Sequence, residues 1–290
     1  MDTDNSLVAQ DGGILSANST NNAKNLKSVK NANALLNLRE KISQNTALVS
    51  DEWLDRLIKW ADECEIPDYL FPRDREKLRV VEKIVIPYIR HHYIKTHFLN
   101  EEAKVRYFKR DYNDDDFDDT GVRQLPDELE NLCFLKTLLL DFLYINFSED
   151  IRLICNLKSL KSLSLSCNYL KLPNEFANLQ NLEYLWLNHN CFDTFPLILT
   201  KLNKLKYISL NQEPYVLFGK FVRDGLSTLP DEFVNLQNLV MLSLLGNKFA
   251  RFPQVIFELP KLEYLWIDEY LITPSIAQEL KKRDIQVHYE

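Results

Sequence analysis

The apolar positions along most of this chain follow a nine-residue block, LxxLxLxxN, that recurs at nearly regular intervals. Six copies of the block begin at Leu135, Leu160, Leu182, Leu205, Leu239 and Leu262. The copies from Leu160, Leu182 and Leu239 match it in full, as LKSLSLSCN, LEYLWLNHN and LVMLSLLGN, and the other three are degenerate. Their spacing is 22 to 25 residues with one longer interval of 34. A period near 23 residues predicts a solenoid of stacked repeats.

Each block continues into a second half that carries a proline. These halves are LPDELENL from Leu125, LPNEFANL from Leu172, FPLILTKL from Phe195, LPDEFVNL from Leu229 and FPQVIFEL from Phe252. The first half alternates apolar and polar residues and predicts a short strand, whereas the proline predicts a turn and a return segment on the outer side. One repeat cannot bury its apolar side alone, so neighbouring repeats must stack and share a core.

These two halves together resemble the leucine-rich-repeat family, in the short bacterial and Ras-group style LxxLxLxxNxLxxLPxxFxxLxN. The resemblance covers about residues 78–290. It implies an α/β solenoid, a leucine-rich-repeat horseshoe with a parallel concave sheet. It also implies that Asn168, Asn190 and Asn247, which close three blocks, hydrogen-bond neighbouring backbones into a ladder. Leu143, Glu213 and Tyr270 take that position in other copies, where we expect irregularity.

Both ends of the repeat array carry segments typical of caps, which a solenoid needs over its terminal apolar layers. Near the N-terminus, Ser50 is a predicted N-cap with Asp51 and Glu52 in the first turn. The apolar positions that follow predict an amphipathic helix; they are Trp53, Leu54, Leu57, Ile58 and Ala61. Pro67 and Pro72 end this cap, whose WxxxxxIPxxxFPRD pattern is similar to leaders of some bacterial leucine-rich repeats. A partner-binding role for Trp60 is the alternative.

The predicted organisation has four parts: a disordered polar leader over 1–33, a helical cap over 34–77, repeats over 78–274 and a helix–strand cap over 275–290. In LRVVEKIVI, Val81, Ile84 and Ile86 predict a first repeat strand, and the alternative is a helix from Asp74 toward Phe98. Insertions are expected near 88–121 and 213–225. The last segment predicts a helix from near Ser275 and a strand from Ile285 to Tyr289.

Composition narrows the function classes. The 35 basic and 42 acidic residues give a net charge of −7, which disfavours nucleic acid as a partner. No apolar run is long enough to span a bilayer, and no basic-then-apolar signal peptide opens the chain. The five cysteines form no CxxC pair, which favours buried, reduced thiols over a disulfide framework or a zinc site. The polar leader fits either an inert tail or a non-cleaved secretion signal.

Few segments of the sequence suggest a metal-binding or catalytic site. The acidic run DYNDDDFDD over 111–119 differs from an EF-hand loop, since Asp116 replaces its glycine and Val122 its final glutamate. A solvated loop is therefore favoured over a calcium site, and a metal site using His91, His92 and His97 is a weaker alternative. No phosphate loop, nucleophile elbow or HExxH motif is present. We expect no cofactor, no metal and no catalytic residues.

The alternation along each strand instead predicts a binding surface, because the leucines point into the core and the intervening side chains point outward. The predicted partner-binding residues are Tyr184, Trp186, His189, Tyr207, Met241, Tyr264, Trp266, Asp268 and Glu269. Further outward positions are Thr137, Leu139, Asp141, Ser162, Ser164, Ser166, Asn188, Ser209, Asn211, Ser243 and Leu245. Exposed aromatic residues favour an interaction site. The alternative is that the rings stack on one another and only stiffen the sheet.

The sequence thus predicts a monomeric, non-enzymatic protein-binding module whose partner lies on the concave sheet. It is expected in the cytoplasm or, as a bacterial effector, inside a host cell without a cleaved signal. One alternative is a ligase-like effector, for which we expect no catalytic domain because the chain ends at its cap. The other is a purely structural or immunity-type scaffold.

Overall fold

The computed structural model describes residues 51–86, 124–141, 150–168, 170–190, 192–212, 215–217, 220–222 and 225–289. The chain divides into two compact units, 1–52 and 53–290, and apart from Asp51 and Glu52 the described residues belong to the second. The polar leader, Ser50, the insertion near 88–121 with its acidic run and histidines, and Leu143 and Glu213 lie outside the described residues.

The N-terminal segment of the solenoid is helical, as its apolar spacing predicts. Helix α1 (Glu52–Glu63) buries Leu54, Leu57 and Ala61. The Trp60 ring packs edge-on against the Phe71 ring, with 5.8 Å between the ring centroids. Its indole N–H donates to the carbonyl of Gln124 at 3.1 Å. Trp60 therefore has a structural place in the cap and does not need a partner to explain it.

A short helix α2 (Arg75–Arg79) leads into the first strand. The Asp74 carboxylate caps this helix by accepting the backbone N–H of Lys77 at 2.9 Å. The helix ends at Arg79, and strand β1 (Lys83–Val85) follows with Ile84 and Ile86 fully buried. The predicted first repeat strand is confirmed, and the alternative of a helix running on from Asp74 is wrong.

Each repeat then contributes one short strand to a single sheet. The strands are β2 (Thr137–Leu139), β3 (Ser162–Ser164), β4 (Tyr184–Trp186), β5 (Tyr207–Ser209), β8 (Met241–Ser243), β9 (Tyr264–Trp266) and β10 (Gln286–His288). Within the described residues the sheet has the order β1-β2-β3-β4-β5-β8-β9-β10, and every pair is parallel. Strands β6 (Tyr215–Leu217) and β7 (Lys220–Val222) form a separate antiparallel pair within the long copy.

The chain returns from one strand to the next through a turn that starts at proline. The return segments are 3-10 helices over Asp127–Asn131, Asn174–Asn178, Leu197–Lys201, Asp231–Asn235 and Gln254–Glu258. Each follows a proline whose fixed φ suits the turn. Between β2 and β3 the return is an α-helix, α3 (Asp150–Asn156), which buries Ile151 and Ile154.

The last repeat ends in a helix and a strand, as predicted. Helix α4 (Pro274–Lys282) is capped at its N-terminus by Thr273, whose hydroxyl accepts the N–H of Ile276. Proline in the first turn needs no hydrogen-bond donor there. Strand β10 then pairs with β9 at the end of the sheet.

An asparagine ladder ties successive repeats together inside the core. Three asparagines donate their side-chain amides to a carbonyl of the preceding repeat: Asn168 to Leu140 at 2.7 Å, Asn190 to Leu165 at 2.9 Å and Asn247 to Leu210 at 2.9 Å. The predicted ladder is confirmed at these positions. Tyr270, in the equivalent position of the last block, is 65% exposed, and its hydroxyl donates to the carbonyl of Phe249 at 3.0 Å. The expected irregularity is confirmed there.

Candidate binding face on the parallel sheet

The candidate site lies on the open face, which we define as the third, fifth and seventh side chains of each block. These side chains point away from the leucine core, as in β4, where Leu185 is buried and Tyr184 and Trp186 are half-buried. Five of the predicted outward positions are nevertheless buried, and these are Ser164, Ser166, Ser209, Ser243 and Leu245. Three of these serines are in register with a larger side chain on the adjacent strand, Ser164 and Ser209 with Trp186 and Ser243 with Trp266.

The aromatic side chains of the open face form two clusters. The β4 ring cluster contains Tyr184, Trp186 and Tyr207; the Trp186 ring lies 6.4 Å from Tyr184 and 5.1 Å from Tyr207. All three side chains are half-buried. The structure therefore brings three of the predicted partner-binding residues into one group on adjacent strands.

The β9 ring cluster contains Tyr264, Trp266 and His288. The Trp266 ring lies 6.3 Å from Tyr264 and 4.9 Å from His288, with planes inclined by 26° and 18°. His288 is exposed and was not predicted. The signal that identifies it is the register of the last strand, which places His288 beside Trp266. Met241 lies between the clusters, in register with both Tyr207 and Tyr264.

The remaining predicted residues follow the strands at their carboxyl ends. His189 is a half-buried turn residue with φ of 54°, in the eighth block position where Cys167 and Gly246 also have positive φ. Asp268 accepts the N–H of Gly246 at 2.9 Å. Glu269 is exposed and opens a 3-10 turn, Glu269–Leu271.

A second hydrogen-bond ladder crosses the open face, and the sequence analysis missed it. An aspartate or asparagine in the seventh position accepts the hydroxyl of the serine in the fifth position of the next block: Asp141 from Ser164 at 2.6 Å, Asn188 from Ser209 at 2.6 Å and Asn211 from Ser243 at 2.7 Å. The same oxygens accept backbone N–H groups two residues further on. The alternation of these residue types between neighbouring blocks is the signal that could have revealed the ladder.

Burial affects the one carboxylate in this ladder. Desolvation raises the pKa of Asp141, and the hydrogen bonds from Ser164 and Ser166 oppose that rise without cancelling it. Glu183, a half-buried acidic residue just before β4, shows the opposite pKa shift. The Lys206 ammonium, 2.6 Å from Glu183, lowers the pKa of that carboxyl, with a smaller effect from Lys161.

Each repeat contributes one parallel strand, and an asparagine ladder joins successive repeats. These two features identify the fold. The described unit has the leucine-rich-repeat fold. No protein-family model and no curated protein matches this sequence. The assignment rests on the strand order and the ladder of the chain itself.

Three solved structures that are similar to this chain come from two bacterial species. Internalin C2 of Listeria monocytogenes is 22% identical over 58% of this chain and 66% of that one, with a TM-score of 0.43. An internalin (inlF) of the same species is 22% identical over 58% and 51%, with a TM-score of 0.40. A leucine-rich-repeat protein of Leptospira interrogans is 21% identical over 76% and 62%, also with a TM-score of 0.40. The chain spans less than two thirds of each of these structures.

The cysteines of the solenoid differ in exposure. Cys155 in α3 is buried, which raises the pKa of its thiol to about 12. Cys133 is exposed, and Cys64 and Cys167 are half-exposed. The expectation of buried thiols is therefore confirmed for Cys155 and wrong for Cys133.

Two further observations bear on the site. Among the described residues, no three histidine, cysteine, aspartate or glutamate side chains are grouped so that they could hold a metal ion. A search of the same part of the chain finds no helix long and apolar enough to cross a membrane.

Proposed function

We propose that this protein is a binding module that holds a protein partner against the open face of its sheet, and that it is not an enzyme. The observation that carries the proposal is the presence of two ring clusters on one rigid face. Tryptophan and tyrosine dominate the binding energy of protein interfaces. A preformed surface loses little conformational entropy when it binds.

The alternative, that the rings only stiffen the sheet, is supported in part by their lateral contacts. The sheet, however, already has two hydrogen-bond ladders that join successive repeats. Trp186 and Trp266 stay half-exposed after stacking, so each keeps apolar surface for a partner. Stiffening and binding are compatible, since stacked rings are held in the orientation that a partner meets.

A binding role also agrees with the polar groups on this face. The hydroxyls of Ser209 and Ser243 donate to the side-chain oxygens of Asn188 and Asn211, and an amide oxygen is not basic enough to activate a nucleophile. The buried Cys155 thiol, with its raised pKa, is a poor nucleophile. These features support binding over catalysis in the described part of the chain.

The cellular setting is part of the same proposal. We place the protein as a monomer in the cytoplasm, either of its own cell or, as an effector, of a host cell. The acidic balance supports a protein partner, and the four described cysteines, which form no disulfide with one another, agree with a reducing compartment. Nucleic acid is disfavoured by the net charge of −7.

Affinity capture with the full chain as bait tests this function. The double variant Trp186→Ala, Trp266→Ala is compared with wild type in lysates of the native cell and of a candidate host. Tyr69→Ala is the matched control, because Tyr69 is a 70% exposed aromatic residue in the N-terminal cap. Each tryptophan truncation is expected to cost about 2 kcal/mol of binding free energy. A partner retained by the control and lost by the double variant supports the proposal, and equal capture by all three proteins contradicts it.

A further inference from the structure

The two ring clusters are built on the same five residues. The pentapeptide LEYLW occurs at Leu182–Trp186 in β4 and at Leu262–Trp266 in β9. The tyrosine and tryptophan rings are 6.4 Å apart in the first copy and 6.3 Å in the second. The copies are three strand steps apart, about 14 Å at normal strand spacing. Any difference between them therefore comes from the residues around the rings.

The first difference is the glutamate that precedes each tyrosine. Glu183 lies between Lys161 and Lys206 and pairs with both, at 3.6 and 2.6 Å. Glu263 has Val240 and Ile285 at the equivalent positions of its neighbouring strands. Glu263 is exposed and, in the described part of the chain, forms no ion pair.

The second difference follows the tryptophan. The first copy continues with Asn188 and His189, whereas the second continues with Asp268 and Glu269. One oxygen of Asp268 accepts the N–H of Gly246, and the other is buried without a hydrogen-bond partner among the described residues. Glu269 is exposed and also lacks an ion pair there. Three carboxylates without an ion pair in the described part of the chain therefore flank the β9 ring cluster along the sequence, whereas the Glu183 carboxylate before the β4 ring cluster pairs with two lysines.

We infer that the β9 ring cluster binds a cationic side chain, arginine or lysine, in a basic segment of the protein partner. This inference rests on the proposed function and specifies the chemistry of the partner at one end of the open face. A cation over the face of tryptophan or tyrosine is attracted by the ring electrons. Carboxylates beside the ring add a charge-assisted interaction that selects cations over neutral groups.

Arginine fits this arrangement better than lysine. Its planar guanidinium stacks on an aromatic ring and keeps its N–H donors free at the edge. Those donors are available to the exposed carboxylate of Glu269. The β4 ring cluster lacks this charge and contributes apolar contact instead.

A basic peptide tests the inference with an internal control. The probe is a fluorescein-labelled peptide of six arginines, and its control is the same peptide with six citrullines, which keep the shape without the charge. Binding to the full-length protein is measured by fluorescence anisotropy at about 0.15 M salt, where distant surface charges are screened. Circular dichroism and urea unfolding establish that each variant is folded.

Two pairs of variants distinguish binding at the β9 ring cluster from nonspecific electrostatic attraction to the acidic protein. Trp266→Leu is compared with Tyr69→Leu, which removes a 70% exposed aromatic ring from the N-terminal cap, away from the open face. The triple variant Glu263→Gln, Asp268→Asn, Glu269→Gln is compared with Glu175→Gln, Asp231→Asn, Glu232→Gln. The second triple removes the same charge from exposed residues of the return segments.

We expect Trp266→Leu and the first triple each to weaken arginine-peptide binding roughly tenfold, in line with a cation held by a ring and carboxylates. The two control variants should change it less than about twofold. Equal weakening by both triples, or wild-type binding no stronger to the arginine than to the citrulline peptide, overturns the inference.

The failure of this inference is distinguishable from failure of the proposed function. Suppose that a captured partner is lost in the tryptophan double variant but retained by the first triple variant. This outcome supports the proposed binding function and contradicts the proposed preference for a cation. A partner kept by the tryptophan double variant contradicts the proposed function itself.

Discussion

The side-chain amide of Asn190 donates to the backbone carbonyl of Leu165 in the preceding repeat at 2.9 Å. The same amide donates to the carbonyl of Leu187 at 3.0 Å, and the side-chain oxygen accepts the N–H groups of Asn168 and Leu170. Asn190 is 2% exposed, so water cannot replace these bonds. One side chain therefore satisfies buried backbone groups of two repeats.

Asn190→Ala should consequently destabilise the solenoid severely. The variant leaves several buried N–H and carbonyl groups without partners, each of which costs about 1–3 kcal/mol. We expect the free energy of unfolding, measured in urea, to fall by about 2–4 kcal/mol. Asn178→Ala is the control, since Asn178 is exposed in a return segment and should change stability by less than about 0.5 kcal/mol. Equal losses in the two variants would show that the ladder does not stabilise the fold.

The second ladder predicts that Ser209 and Asn188 are energetically coupled. The Ser209 hydroxyl donates to the Asn188 side-chain oxygen at 2.6 Å, and Ser209 is 1% exposed. A double-mutant cycle with Ser209→Ala and Asn188→Ala should give a coupling free energy of about 0.5–1.5 kcal/mol. Additive effects of the two substitutions in urea unfolding would mean that the hydroxyl bond contributes no stability.

Much of the fold could be predicted because the block repeat fixes both the strands and their order. Period-two alternation located β2, β3, β4, β5, β8 and β9, and the closing asparagines located the internal ladder. The 3-10 form of the return segments was not predicted, since proline indicates a turn without specifying its hydrogen-bond pattern. The last strand was predicted, but its register was not, and so His288 was missed.

The site was harder to predict than the fold. Alternation shows which side chains leave the core, but not how deeply their neighbours cover them. Ser209 and Ser243 point outward and are nevertheless buried, and each is in register with a larger side chain, a tryptophan, on the adjacent strand. The charge contrast between Glu183 and Glu263 depends on which residues lie across the strands, and this requires the register.

The buried carboxyl of Asp141 should make stability depend on pH. Burial raises the pKa of this carboxyl in the folded state above its ordinary value of 3.8. The protonated form is therefore favoured by folding, and this contribution is present below that value and lost as pH rises through the folded pKa. Asp141→Asn should unfold at a temperature equal to or above that of wild type at pH 7, as asparagine fills the same role at Asn188.

The thermal comparison is then repeated at about pH 3, near or below the unfolded pKa of aspartate. The advantage of Asp141→Asn should shrink there, because wild type regains the favourable protonated form. The reverse variant Asn188→Asp should behave oppositely, losing stability at pH 7 and recovering part of it in acid. An advantage of Asp141→Asn that grows as pH falls would contradict the sign assigned to this group.

The cysteines should differ in reactivity according to their burial. Cys133 is exposed, whereas Cys155 is buried with a thiol pKa of about 12. Because the thiolate is the reactive form, iodoacetamide at about pH 8 should alkylate Cys133 in the native protein and Cys155 only in denaturant. Peptide mass spectrometry measures each site separately. Alkylation of both at similar rates in native protein would show that α3 opens readily.

Site-specific photocrosslinking tests the binding face most directly. A photoreactive benzoylphenylalanine replaces Tyr207 on the open face in one variant and Leu197 in another, where Leu197 is a 52% exposed residue of a return segment. Both variants are irradiated in the same lysates. We predict a protein cross-link from position 207 that position 197 does not give and that Trp186→Ala, Trp266→Ala abolishes. A cross-link from position 197 alone, or one from position 207 that survives loss of both tryptophans, would contradict binding on the open face.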